Sequence, residues 1–162
     1  MSRVEVRQAR PEDAEIVMIL IQELALYERR LEDVLVTAKE FSSALEKGSV
    51  QALILYEDDH PAGVVVYCYT YSTWDGELIH MEDLYVRETH RRKGYGMVLW
   101  KELAKIAAER GCRNLLWNVL DWNEPAIKFY QTMPCEDRTE KEGWKWYRLD
   151  QDGIKQLANA AV

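Results

Sequence analysis

The stretch "RETHRRKGYGMVLWKELAKIAAERG" (residues 87–111) sets a basic, glycine-punctuated loop directly before an amphipathic run free of proline. Val98, Leu99, Leu103, Ile106 and Ala107 recur at helical spacing on one face. Lys101, Glu102, Lys105 and Glu109 take the other, and Gly111 is the expected stop. A helix start offers unpaired N–H groups and about half a positive charge, which together attract phosphate. Glycines let the backbone approach such a ligand, while Arg91, Arg92 and Lys93 add charge. Two common phosphate loops are excluded by spacing. No G-x-x-x-x-G-K-[ST] is present, and G-x-G-x-x-G would need glycine where this chain has Leu99. The pattern that fits is [QR]-x-x-G-x-[GA], supplied by Arg91, Gly94 and Gly96.

The loop is a local exception in an acidic chain. The formal net charge is −7 and the pI about 5.1, so phosphodiester chains have no general attraction to it and nucleic-acid binding is not expected. A small cationic substrate is weakly favoured. With 162 residues, 48% of them hydrophobic and only 4 Pro, the chain reads as one globular domain over residues 1–162, without linker or repeat. No apolar run reaches the ~20 residues of a membrane span, and "MSRVEVRQARPEDAE" lacks a signal-peptide core. Cys68, Cys112 and Cys135 form no C-x-x-C pair and are odd in number, which argues against a disulfide framework and for the cytoplasm. His60, His80 and His90 lack metal-ligand spacing, so no metal is expected. Cys68 reads as a strand core residue.

Working outward, residues 4–9 alternate as a half-buried strand. Pro11, Glu12 and Asp13 open a helix that continues to about Arg30. Thr37 caps a second helix that stops at Gly48. "VQALILYE" and "AGVVVYCYTY" are strands joined through a "DDHPAG" turn, in which His60 falls, and "ELIHMEDLYV" (residues 77–86) is a third. After the basic loop and its helix, "RNLLWNVL" is an apolar strand of the kind covered on both faces. Asn123 and Pro125 open a short helix through about Gln131, "GWKWYRLD" is a last strand, and "GIKQLANA" a terminal helix. The order β-α-α-β-β-β-α-β-α-β predicts an α/β domain with a mixed sheet.

A strand, this loop and a helix in that setting resemble the pyrophosphate-binding loop of the GNAT family of acetyl-CoA-dependent N-acetyltransferases. "YSTWDGELIHMEDLYVRETHRRKGYG" and "VLDWNEPAIKFY" are similar to the spermidine/spermine (diamine) acetyltransferase branch, and closer still to its thialysine Nε-acetyltransferase-like members. The likeness runs over nearly the whole chain. It implies the GNAT fold, a mixed, mostly antiparallel sheet with splayed central strands flanked by helices. It also implies acetyl-CoA as donor, a small primary amine (a lysine analogue, diamine or polyamine) as acceptor, direct attack in a ternary complex, and a homodimer to which "GWKWYRLD" contributes.

The resemblance further implies residue roles. Main-chain N–H groups of Leu84, Tyr85 and Val86 would face the thioester carbonyl. Arg91, Arg92, Lys93, Gly94, Tyr95, Gly96 and Met97 would hold the cofactor's diphosphate, with Asn123, Glu124, Pro125, Ala126 and Tyr130 bordering the cofactor. Asn123 and Tyr130 are seven apart and share a helical face. Tyr130 would be the general acid: a phenol near pKa 10 is protonated at neutral pH and donates to a thiolate. Without the motif, "IKFY" also reads as a core stripe. Alternation puts Glu82 and Asp83 on opposite faces, so only one lines the cleft. The resemblance assigns amine contact and proton removal to Glu82, with Asp83 behind it. Tyr27, Glu28, Trp74, Leu116, Trp117, Asn118 and Glu142 match further acceptor-side positions, and His80 shares Glu82's face.

Two departures shift the expectation. Ser72 stands where polyamine-specific members carry an additional acid, which favours a shorter amine. Pro134-Cys135 replaces Gly-Ala after the tyrosine, and proline cannot take the positive φ of glycine, so that turn should differ. Two alternatives stay open: a protein N-terminus or lysine as acceptor, and a non-catalytic acyl-CoA or polyamine-binding module.

Overall fold

Pairing of β-branched and aromatic runs builds the scaffold. Val4–Gln8 (β1), Gln51–Glu57 (β2), His60–Ser72 (β3), Gly76–Val86 (β4) and Asn114–Trp117 (β5) form one sheet in sequence order. The first four strands are antiparallel and β5 joins β4 in parallel, giving the mixed sheet expected. The computed structural model describes residues 2–160; Met1, Ala161 and Val162 of the domain expected over 1–162 lie outside them. The chain divides into two compact units, residues 1–118 and 119–162, and the sheet belongs to the first.

Helices cover both faces of the sheet. Ala14–Tyr27 (α1) and Ala38–Glu46 (α2) bury Val17, Leu20, Phe41 and Leu45 against Ile54, Val64 and Val66. Each such side chain contributes about 1.5–3 kcal/mol by leaving water. A capping box starts α2: Thr37 Oγ1 accepts from Glu40 N at 3.2 Å and Glu40 Oε2 accepts from Thr37 N at 2.8 Å. On the opposite face Tyr95–Glu109 (α3) buries Leu99 and Leu103 completely. Tyr95 and Trp100 join that buried set, although the 3.6-residue stripe in the sequence does not include them. A Cβ on Gly63 would stand 2.8 Å from Tyr85 O and 3.3 Å from Leu99 Cδ1, so α3 approaches the sheet as closely as glycine allows.

Several expected boundaries change. The β2–β3 turn is the two residues Asp58-Asp59, both at positive φ (49° and 64°), as a right-twisted hairpin favours. His60 and Pro61 therefore belong to β3, and His60 pairs with Glu57. The first strand is an exposed edge, with only Val6 partly buried, so it is not half-buried. Only residues 114–117 of "RNLLWNVL" pair, and all four are of intermediate exposure. The last expected strand does not form. Residues 143–150 carry no secondary structure, following the short helix Thr139–Glu142. Alternating aromatics satisfy a strand pattern, but a strand needs a partner, and among the described residues of the second unit there is none. Glu124–Tyr130 (α4), Thr139–Glu142 (α5) and Gln151–Ala158 (α6) make up that unit's helices. Among the described residues, no helix is long and apolar enough to cross a membrane.

Candidate active site

The middle of β4 departs from regular pairing. Tyr67 faces Met81 while its neighbour Val66 faces Asp83, which leaves Glu82 as an extra residue, a β-bulge. A bulge inverts the alternation that follows it. His80 pairs with Cys68, and Glu82 Oε1 stands 3.7 Å from both His80 Nε2 and Cys68 Sγ, so it shares their face. Asp83, opposite Val66, lies on that same face, toward α1. The expectation that the two carboxylates point to opposite faces is thus overturned, although only Asp83 lines the cleft. Alternation holds only where the ladder is unbroken.

The resulting cleft has a volume of about 220 Å³. Ile21, Leu24, Ala25 and Val34 form its apolar wall, and Glu28, Asp33, Asp83 and Arg30 its polar part. Three carboxylates face one guanidinium, which is already committed: Arg30 Nε donates to Asp33 Oδ2 at 2.6 Å. Burial first, then the charges of Glu82 and Glu28, push the Asp83 carboxyl up to about 6. Burial likewise raises Glu28, against the pull of Arg30. A cation entering here would relieve both, the chemistry of an ammonium-binding pocket.

Beyond the bulge, β4 heads for the glycine loop. Its ladder to β5 ends at Met81–Trp117, while Leu84, Tyr85 and Val86 continue paired to β3 alone. This one-sided pairing is how β4 and β5 part. The loop then turns through Arg92 (φ 62°) and Gly94 (φ 79°) into α3. No side chain caps α3, and its first turn holds no acid. A Cβ on Gly94 would meet nothing within 4 Å, so glycine serves the backbone angle there, not space. An uncapped, acid-free helix start behind a basic loop suits an anionic diphosphate.

Two of the loop's basic side chains, Arg91 and Lys93, are held in place. Arg91 Nε donates to Val86 O at 3.0 Å, and its guanidinium lies 5.0 Å from the Tyr27 ring centroid and 5.8 Å from that of Tyr85. Lys93 Nζ donates to both oxygens of Glu57, at 2.9 and 2.8 Å. Sequence reasoning does not reach Glu57; its only signal there is a carboxylate ending an apolar strand.

Of the acceptor-side residues expected, Glu28 and Asp83 line the cleft, and Glu82 adjoins Asp83. Tyr27 instead packs under Arg91. Trp74 sits at the β3–β4 turn and is 80% exposed. Leu116 and Trp117 lie in β5, with Trp117 edge-on to Trp100, and Asn118 follows exposed; none lines the cleft. Asp33, Arg30 and Val34 do line it and were missed, because they enter through a single 3-10 turn, Leu31–Asp33, too short to show periodicity. Ser72 acts locally. Its Oγ accepts from Trp74 N and Asp75 N at 3.2 and 3.1 Å, closing the turn.

In the second unit, Asn123 Oδ1 accepts from Ala126 N at 3.4 Å and caps α4, with Glu124 and Pro125 in the first turn. Tyr130 is the last residue of α4, its ring 5.5 Å from that of Phe129. In the turn after it, Tyr130 O accepts from Met133 N at 2.9 Å and from Cys135 Sγ at 3.2 Å. Glu142 is ion-paired with Arg138.

Comparison with known proteins shows the family. The profile of the Acetyltransferase (GNAT) family matches residues 15–133. The thialysine N-epsilon-acetyltransferase of Caenorhabditis elegans is 38% identical over 159 residues, covering 98% of this chain and 99% of that protein. That of Bos taurus is 34% identical over 168 residues, again covering 98% and 99%. Among solved structures, an integron cassette protein from the mobile metagenome of V. cholerae superposes with a TM-score of 0.77 at 25% identity, covering 97% of this chain and 98% of that one. By sequence profile, by full-length relatives and by fold, this chain belongs to the GNAT family of acetyltransferases.

Proposed function

We propose that the chain transfers the acetyl group of acetyl-CoA to the primary amine of a small cationic acceptor, of the size of lysine or thialysine. The observation that carries this reading is the cleft in which Asp83, Glu28 and Asp33 outnumber Arg30. A pocket of about 220 Å³ is below the usual range for drug-sized ligands and suits an amine head with a short alkyl stem. The full-length likeness to two thialysine N-epsilon-acetyltransferases supports the same class.

Acyl transfer to an amine needs a proton removed from nitrogen, donors for the developing oxyanion, and an acid for the departing thiolate. In this reading Asp83 and Glu28 hold the ammonium. Glu82, half-exposed and beside His80, accepts the amine proton through water. Main-chain N–H groups of Leu84, Tyr85 and Val86 face the thioester oxygen. The loop from Arg91 to Met97 grips the diphosphate, supported by the uncapped start of α3. Asn123, Glu124, Pro125 and Ala126 border the cofactor. Tyr130 protonates the leaving thiolate, a role that rests on the "DWNEPAIKFY" motif. The donor supplies the activated acetyl thioester.

We also propose a homodimer working in the cytoplasm. Trp144, Trp146 and Tyr147 are 72%, 82% and 85% exposed on a segment without secondary structure, a density of aromatic surface typical of interfaces. The three cysteines are free thiols.

A CoA-release assay with spermidine, putrescine, lysine and thialysine tests the reading. Turnover is expected to be highest with lysine or thialysine. Tight CoA binding with no acetylation of any amine would overturn it in favour of a binding module, and faster turnover on peptides than on free amines in favour of a protein acceptor.

A further inference from the structure

Glu57 ends β2, outside the acceptor cleft and outside the loop motif, yet four groups meet there. Its carboxylate is only 8% exposed. Lys93 Nζ donates to both its oxygens at 2.9 and 2.8 Å, Tyr95 Oη donates to Oε1 at 2.6 Å, and His90 Nε2 lies 3.4 Å from Oε2. These hydrogen bonds, Lys93 first and Tyr95 second, lower the Glu57 carboxyl to about 2. The three partners are spaced along the loop, one before Arg91, one on each side of Gly94. Between His90 and Lys93 stands Arg92 at φ 62°, a left-handed conformation that is unfavourable for a non-glycine residue. Such a conformation persists only where the surroundings hold it, and a single carboxylate bonded to both flanks does so.

We propose that Glu57 is the positioning residue of the diphosphate loop: it anchors His90, Lys93 and Tyr95 so that the loop's amides stand ready for the ligand. This rests on the reading of the loop as a diphosphate site. The anchor also reassigns Lys93. Its ammonium is committed to Glu57 and acts on the loop's shape more than as a direct phosphate contact.

The sign of the effect separates this role from simple electrostatics. Removing a negative charge beside an anion site should tighten anion binding, and it would also release Lys93 toward the ligand. Loss of the anchor should do the opposite. Glu57→Gln is therefore compared with the unaltered chain by titration calorimetry, using CoA and pantetheine, which lacks the diphosphate. The expected result is a Kd for CoA about tenfold weaker, with pantetheine changed less than twofold. Tyr95→Phe removes one anchoring hydroxyl without changing charge, should weaken CoA in the same selective way, and serves if the first variant does not fold. An unchanged or tighter Kd for CoA overturns the proposal. So does equal weakening of both ligands with a lower melting temperature, which would mean a general structural role. If the unaltered chain binds CoA no better than pantetheine, the diphosphate reading of the loop fails instead.

Discussion

Glu82 and Asp83 adjoin in sequence and lie on the same face of β4, because a bulge at Glu82 lets Val66 face Asp83 while Tyr67 faces Met81. The charge of Glu82 helps raise the Asp83 carboxyl, and the pair favours an incoming ammonium.

Asp83→Asn should therefore stabilise the free protein while harming it as an enzyme. The fold raises this carboxyl to about 6, above the ~4 of an unfolded aspartate. The folded state thus binds the extra proton between those values, and stability falls as pH rises from about 4 to 6, then levels. The variant should gain on the order of 2 kcal/mol at pH 7.5, a gain that shrinks to nothing near pH 4. Denaturant melts at the two pH values measure it. The amine KM should rise in the variant, and in the unaltered chain as pH falls below 6. A gain over the unaltered chain no larger at pH 7.5 than at pH 4 would mean that the carboxylate is not strained.

Tyr130→Phe should lower kcat by roughly 100-fold or more, the usual range for a lost general acid, while leaving the calorimetric Kd of CoA within about twofold. Turnover equal to that of the unaltered chain would remove Tyr130 from the chemistry.

Gly63→Ala and Gly94→Ala should fail for different reasons. At Gly63 the new methyl meets Tyr85 O at 2.8 Å, an overpacking cost of about 1–3 kcal/mol, visible as a lower melting temperature. At Gly94 the space is open but φ is 79°, so stability drops by only about 1 kcal/mol and the larger loss should be in CoA affinity. An unchanged melting temperature for Gly63→Ala would contradict the close approach of α3 to the sheet.

Sedimentation at micromolar concentration should show a dimer, and Trp146→Glu should shift it toward monomer. A monomer in the unaltered chain would leave the aromatic segment at residues 143–150 without its proposed partner.

Local signals in the sequence determined much of this protein. Element order through α4, the Thr37 cap of α2, the stop of α3, the asparagine cap of α4 and the glycine loop all lie within a few residues of their causes, so spacing reveals them. Tertiary structure alone decided the rest. The bulge at Glu82, the convergence of His90, Lys93 and Tyr95 on Glu57, and the entry of Asp33 into the cleft depend on pairing between segments distant in sequence. The segment "GWKWYRLD" shows the converse. Its alternation is as good as that of β1, but hydrogen bonds between strands, and not alternation, make a strand.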